Sequence, residues 1–223
     1  MEAIELQEAD FLDFGCSNGS SMVFAKQRFG ASKGIGIDID PVKVAKARGA
    51  GFEAMEADAS ALRLPPGIVS FCVMSHFLEH LPGLRVAEKC IASACNVARD
   101  FVYIRHPWFD ADYDLWKLGY KFYWSDWSGH TANIGAAQLD MLLRRAGAKA
   151  WTLYGLKPII DLNDQAIVPL NAPINTLEQA NDRPSTPLAF PAFKELAALI
   201  QTGSDETYQR TIINLARDHI PLK

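Results

Sequence analysis

The chain has 223 residues, 49% of them apolar and 22% charged, which suits one sizeable globular domain with an appendage and excludes a disordered chain. The net charge is −4 with no run of Lys or Arg, so the basic face of a nucleic-acid binder is not expected. No stretch approaches the roughly 18 uninterrupted apolar residues of a membrane span, the first residues do not read as a signal peptide, and Cys16, Cys72, Cys90 and Cys95 lie at unpatterned spacings, so the expectation is a reduced, cytoplasmic protein without a membrane partner.

Strands and helices alternate through the first two thirds. "DFLDFG" is a short apolar strand ending at Gly15, and "SSMVFAKQRFG" is a helix closed by Gly30. "KGIGIDI" is a second strand, after which Asp40 reads as an N-cap with Pro41 at the first helical position of "PVKVAKARG". "FEAMEAD" and "GIVSFCVMS" are the third and fourth strands, "LRVAEKCIASACNVA" a helix and "DFVYIR" a fifth strand. This rhythm predicts an α/β fold, a parallel sheet covered by helices on both faces. "AWTLYGLKPIIDL" and "QAIVPL" predict a β-hairpin that completes the sheet. The segment 171–191, with Pro173, Pro184, Pro187 and Pro191, predicts a loop or lid. Two helices are expected after it, "AFKELAALIQ" and "DETYQRTIINLARDH", the second with an apolar face for the domain or for a second subunit in a homodimer. The expected division is an α/β domain over 1–170 and a Pro-rich loop with C-terminal helices over 171–223, packed on that same domain.

In such a sheet ligands bind beyond the carboxyl ends of the strands. The first strand leads into "DFGCSNGSS", where Gly15 and Gly19 allow a sharp turn and close approach, and where Ser20 and Ser21 open a helix whose free N–H groups suit an anion. Asp38 follows the second strand and can accept hydrogen bonds from ribose hydroxyls. Asp58 follows the third and can meet the exocyclic amine of a base. "SHFLEH" follows the fourth. Four strand ends thus present a nucleoside-like site.

Together "FLDFGCSNGSS", "GIGIDIDP", "EADAS" and "VMSHFLEHL" resemble the class I S-adenosylmethionine-dependent methyltransferases over roughly residues 10 to 155, including the downstream "GHTANIGAAQLDMLLRRAGAKA". The resemblance implies a doubly wound, mostly parallel seven-stranded sheet with S-adenosyl-L-methionine as cofactor. It implies that Asp13, Gly15, Cys16, Ser17 and Gly19 form the loop under the methionine part. Asp38 and Ile39 match the end of the second strand, where an acidic residue binds both ribose hydroxyls. Asp58 and Ala59 match the adenine contacts, and Ser75 and His76 lie beside the sulfonium. Ser17 stands where the family usually has a middle glycine, and Ser70 where an acidic residue is common.

A sulfonium methyl is already activated, so the protein mainly aligns a nucleophile, and a base is needed only for an acceptor whose proton has a high pKa. Among the imidazoles, His76 is the first catalytic candidate because it follows a strand end, and His130 in "SDWSGHTAN" the second. H-x-x-E-H within "SHFLEH" also matches a zinc-peptidase pattern. Pro82 and Gly83 end the segment too soon for the long helix such a site needs, so no metal is expected. Residues 101–127 hold 11 of the 23 aromatic side chains. This segment predicts either a second small core or an acceptor pocket over about 106–130, with Arg105, His106, Trp108, Tyr113 and Trp124 as candidate substrate contacts. The expected function is methyl transfer to an oxygen or nitrogen of a small-molecule or metabolite-linked acceptor. The alternatives are a non-catalytic scaffold and a nicotinamide-dependent oxidoreductase. The latter needs G-x-G-x-x-G, whereas the glycines here stand four apart.

Overall fold

A computed structural model of the chain describes residues 6–177 and 185–222. In chain order the elements are β1 (Phe11–Phe14), α1 (Ser20–Phe29), β2 (Gly34–Asp38), α2 (Pro41–Gly49), β3 (Glu53–Glu56), β4 (Val69–Ser75), α3 (Leu84–Val97) and β5 (Ala98–Pro107), then α4 (Asp112–Lys117), β6 (Tyr120–Phe122), α5 (Ala136–Arg145), β7 (Ala150–Pro158), β8 (Ile167–Pro169), β9 (Phe193–Gln201), α6 (Asp205–Leu215) and β10 (His219–Pro221). Local chemistry sets several boundaries. Gly30 ends α1 in the left-handed region, its N–H on the Lys26 carbonyl. The Asp40 side chain accepts the Val42 N–H at 2.8 Å, with Pro41 at the first position of α2.

The main sheet has the order β3-β2-β1-β4-β5-β9-β7-β10. Strands β1 to β5 are parallel, β9 is antiparallel to both β5 and β7, and β10 is antiparallel to β7. Alternate residues of each central strand serve opposite faces. Leu12, Phe14, Cys72, Met74, Val102 and Ile104 pack with α3 and α5. Phe11, Phe71, Val73, Phe101 and Tyr103 pack with α1, α2 and α6. On the second face Phe11, Phe71 and Phe101 lie in cross-strand register and stack at 5.1 and 4.8 Å between centroids.

Three expectations are corrected. "AFKELAALIQ" is β9, not a helix: its almost unbroken burial is that of a strand covered on both faces, and it inserts between β5 and β7. The expected hairpin is not formed, because β7 pairs with β9 and β10 while β8 pairs with β6 in a separate two-stranded sheet. Among the described residues the main sheet consequently has eight strands rather than seven, with β10 added at the edge. Helix α6 buries Tyr208, Thr211 and Leu215 in the domain itself, so of the two partners left open for its apolar face the domain takes it. Part of the expected lid, residues 178–184, lies outside the described residues. Among the described residues no helix is long and apolar enough to cross a membrane.

Candidate active site

The strand order reverses between β1 and β4, and the loops beyond their carboxyl ends form a cavity of about 430 Å³. Gly15, Cys16, Ser17, Asn18, Ser20, Ser21, Ser75, His76 and Arg105 line it. Gly15 has φ +74°, and a Cβ there would sit 2.1 Å from the Phe77 ring, so both its conformation and its space require glycine. Gly19, at φ 90°, is the N-cap of α1 and has no side chain to cap the first turn, whose Ser20 N–H is accepted instead by Asn18 Oδ1 at 3.2 Å. Ser17, in place of the family's middle glycine, still adopts a left-handed φ of 49°. Cys16 is fully buried, with its sulfur against Gly36 of β2 and its thiol pushed up to about 12, chiefly by burial. It packs into the core and also borders the cavity with its neighbours.

Two carboxylates support this loop. Asp38, at the end of β2, accepts the Ser17 N–H through Oδ2 and the Asp40 N–H through Oδ1, each at 3.0 Å. Asp13 is wholly buried on β1. Burial raises its pKa to about 7 despite the hydrogen bond that Ser21 Oγ donates to Oδ2, and the charge of Asp38 adds to the rise. Its Oδ1 is buried without a hydrogen-bond partner. Ile39 is 69% exposed beside Asp38, and Ala59 is buried. Asp58 is exposed and caps its own turn, accepting the Ser60 N–H at 2.8 Å. A carboxylate at the end of β2, an exposed apolar residue beside it and left-handed glycines at the loop suit a charged nucleoside such as S-adenosyl-L-methionine.

A second cavity, of about 520 Å³, is lined by His76, Glu79, His80 and His130, the rings of Tyr123, Trp124 and Trp127, and Lys157, Gln165, Lys194 and Glu195, among others. His76 lines both cavities. It follows β4 directly and holds φ 52°, an uncommon conformation for a non-glycine residue, fixed by its N–H on the Arg105 carbonyl at 2.9 Å. Its ring lies between two carboxylates, with Nδ1 at 3.3 Å from Glu79 and Nε2 at 3.5 Å from Glu195. Burial alone would lower its pKa, but Glu195 and Glu79 outweigh that and raise it to about 9.

His130 sits in the loop before α5, its Nδ1 at 2.8 Å from the Trp124 carbonyl, and burial lowers its pKa. Trp124 also donates Nε1–H to the Trp108 carbonyl at 2.8 Å and stacks on Phe122 at 4.6 Å.

The other expected acceptor contacts lie elsewhere. Strand β5 runs two residues beyond "DFVYIR", because β9 pairs with it as far as Pro107. That extension buries His106 completely, with Nδ1 on the Pro107 carbonyl, and leaves Trp108 buried against Phe193. Tyr113 is 67% exposed on α4 and stacks on Trp116. None of these three lines the second cavity. Arg105 lines the first cavity instead, donating to Ser75 Oγ at 2.7 Å, 3.9 Å from Glu195 and over the Phe24 ring.

The sequence reading missed Glu195 because it treated β9 as a helix. Glu195 is 8% exposed and reaches His76, Arg105 and Lys157. A carboxylate opening an otherwise apolar run is the cue that was available.

Residues 11–100 match the sequence family described as "Methyltransferase domain". A search of curated proteins finds no match. Among solved structures, the chain resembles a SAM-dependent methyltransferase from Archaeoglobus fulgidus (19% identity, 88% of this chain and 87% of that chain, TM-score 0.59). A SAM-dependent methyltransferase from Thermotoga maritima aligns at 13% identity over 87% of this chain and 83% of that one, with TM-score 0.57. Magnesium protoporphyrin IX methyltransferase from Synechocystis, with S-adenosylhomocysteine bound, aligns at 14% identity over 88% and 76% with TM-score 0.50. At these identities the structures establish the fold, and the domain match adds the chemistry. Residues 11–100 therefore carry a methyltransferase domain, on the fold of the S-adenosylmethionine-dependent methyltransferases and with S-adenosyl-L-methionine as methyl donor.

Proposed function

We propose that the enzyme methylates an oxygen or nitrogen of a small-molecule or metabolite-linked acceptor held in the 520 Å³ cavity. The observation that carries this reading is that His76 lines both that cavity and the one at the glycine loop, so the two meet at one side chain. Bound there, S-adenosyl-L-methionine would supply an activated methyl on a sulfonium, for in-line transfer to the acceptor lone pair with the acceptor's proton passing to solvent or a nearby base.

The chain's own residues bind and orient. Asp13, Gly15, Cys16, Ser17 and Gly19 hold the methionine part, chiefly through backbone. Asp38 receives the ribose hydroxyls, and Ile39, Asp58 and Ala59 receive the adenine. Ser75, fixed by Arg105, and His76 border the reacting methyl. His76, held between Glu79 and Glu195, brings a fixed positive charge and a ring face to the meeting point of the two cavities. His130, with Nδ1–H committed to the Trp124 carbonyl, presents a lone pair on Nε2. The rings of Tyr123, Trp124 and Trp127 exclude water and favour a flat or partly apolar acceptor. A cytoplasmic setting belongs to this reading, and the four unpaired thiols suit it.

Release of S-adenosylhomocysteine from a panel of small amines, phenols and carboxylic acids, set beside total RNA and total protein, tests the proposal. Turnover with members of the small-molecule panel is expected. Turnover confined to the macromolecules would overturn it.

A further inference from the structure

We propose that Glu79, His80 and His130 bind one first-row divalent cation, of the Zn2+, Mn2+ or Co2+ kind, in the wall of the acceptor cavity, with its remaining coordination positions open to that cavity. One ligand atom from each residue lies within 4.8 Å of the other two. Ligands around such an ion stand about 3.4 Å apart for metal–ligand bonds near 2.1 Å.

Three observations argue that the cluster is built for a cation. Glu79 is completely buried, yet neither of its oxygens accepts a hydrogen bond among the described residues. Its one close charged contact is the His76 ring at 3.3 Å, and a coordinated cation would supply the short contacts that this leaves unmet. Lys157 and Lys194, on the same cavity, do not fill that role, for they pair with Glu195 at 3.0 Å and Asp164 at 3.4 Å. His76, 3.3 Å from Glu79, is the nearby group a cation would compete with.

Both histidines, moreover, have a fixed tautomer. His80 Nδ1 meets the Gly129 carbonyl at 2.7 Å and His130 Nδ1 the Trp124 carbonyl at 2.8 Å. A carbonyl can only accept, so each Nδ1 carries the proton and each Nε2 keeps its lone pair. An outer hydrogen bond that fixes the tautomer is the usual support of a metal-bound imidazole.

The scaffold is also fixed in advance. The Glu79 carbonyl accepts the N–H groups of Thr131 and Ala132 at 2.8 and 3.1 Å, and Thr131 Oγ1 donates to the Leu81 carbonyl at 2.7 Å. These bonds clamp the loop carrying His130 to the segment carrying Glu79 and His80.

H-x-x-E-H suggested His76 and His80 as the imidazole pair and gave no reason to expect a metal once a long helix was excluded. The structure forms only a three-residue turn there, and the second imidazole comes from a loop some fifty residues away. Two imidazoles and one carboxylate suit borderline first-row ions better than Mg2+ or Ca2+. The ion's role, polarising an acceptor hydroxyl or amine as a Lewis acid, rests on the proposed acceptor cavity; its binding does not.

The test is equilibrium dialysis of metal-stripped full-length protein against Zn2+, Mn2+ and Co2+ in turn, with S-adenosylhomocysteine affinity measured in parallel by calorimetry. About one equivalent should bind to the wild type, and His130→Ala and Glu79→Gln should each weaken it by roughly 100-fold, at the upper end of what loss of even an outer contact costs. No binding by the wild type, or undiminished binding in both variants, overturns the site. If neither variant folds, pulsed electron paramagnetic resonance of the Mn2+-loaded wild type decides: coordinated imidazole nitrogen supports the site and its absence overturns it. Metal binding without S-adenosylhomocysteine binding would count against the donor-site residues alone, and the reverse against the cation site alone.

Discussion

The Asp38 carboxylate accepts the Ser17 N–H at 3.0 Å, tying the end of β2 to the loop that follows β1. One side chain therefore shapes the glycine loop and is also the proposed contact for the ribose hydroxyls. Asp38→Ala should lower S-adenosylhomocysteine affinity by about 10- to 100-fold, the range for hydrogen bonds to a charged group. Calorimetry checks this, and unchanged affinity would remove Asp38 from the donor site.

Asp13 carries a pH signature. Its pKa is raised to about 7 by burial, so the folded state holds the proton more tightly than the unfolded chain does. Its favourable contribution is complete below the ordinary carboxylate value near 3.8 and is lost as pH rises through about 7. Asp13→Asn removes the ionisation while keeping an acceptor for Ser21. The variant should gain stability over wild type between pH 4 and 7, by up to about 4 kcal/mol at neutral pH. Urea unfolding at both ends of that range measures it, and a pH-independent difference would contradict a raised Asp13.

His76 joins the two cavities, so its loss should act on turnover more than on donor binding. His76→Ala should lower kcat/KM by roughly 100-fold with S-adenosylhomocysteine affinity retained. Normal turnover on the true acceptor would exclude a catalytic part for His76.

Trp124 serves both core and cavity. Trp124→Ala removes a stacked ring and a hydrogen bond to the Trp108 carbonyl, and should destabilise the fold by about 3–5 kcal/mol. Trp124→Phe keeps a ring but loses the N–H, and should cost about 1 kcal/mol. Chemical denaturation separates the two; equal losses would assign the whole effect to the hydrogen bond.

The first five strands and the helices among them were legible because each carries its own punctuation: Gly30 closes α1, while Asp40 and Pro41 open α2. Strand β9 was not. "ELAALI" is apolar throughout, and periodicity does not separate a strand buried on both faces from a buried helix. That single ambiguity also misplaced β7, whose partners are β9 and β10, and hid Glu195. The loops after β1 and β2 could be read because glycine and aspartate there have local backbone reasons. The aromatic segment could not be sorted in the same way. Tyr113 and Trp124 are alike in sequence, and only the packing of α4 and β6 turns one to solvent and the other to the cavity.

The late insertion of β9 also governs the order of assembly. It separates β5 from β7 in the sheet, although those strands precede it by about 90 and 40 residues. While the polypeptide is being made, β5 is exposed along one edge until β9 leaves the ribosome, and such an edge invites pairing between chains. Glu195 arrives on that same strand. Protection from aggregation and completion of the charged pocket around His76 are therefore one event, set by the last strand but one to join the sheet.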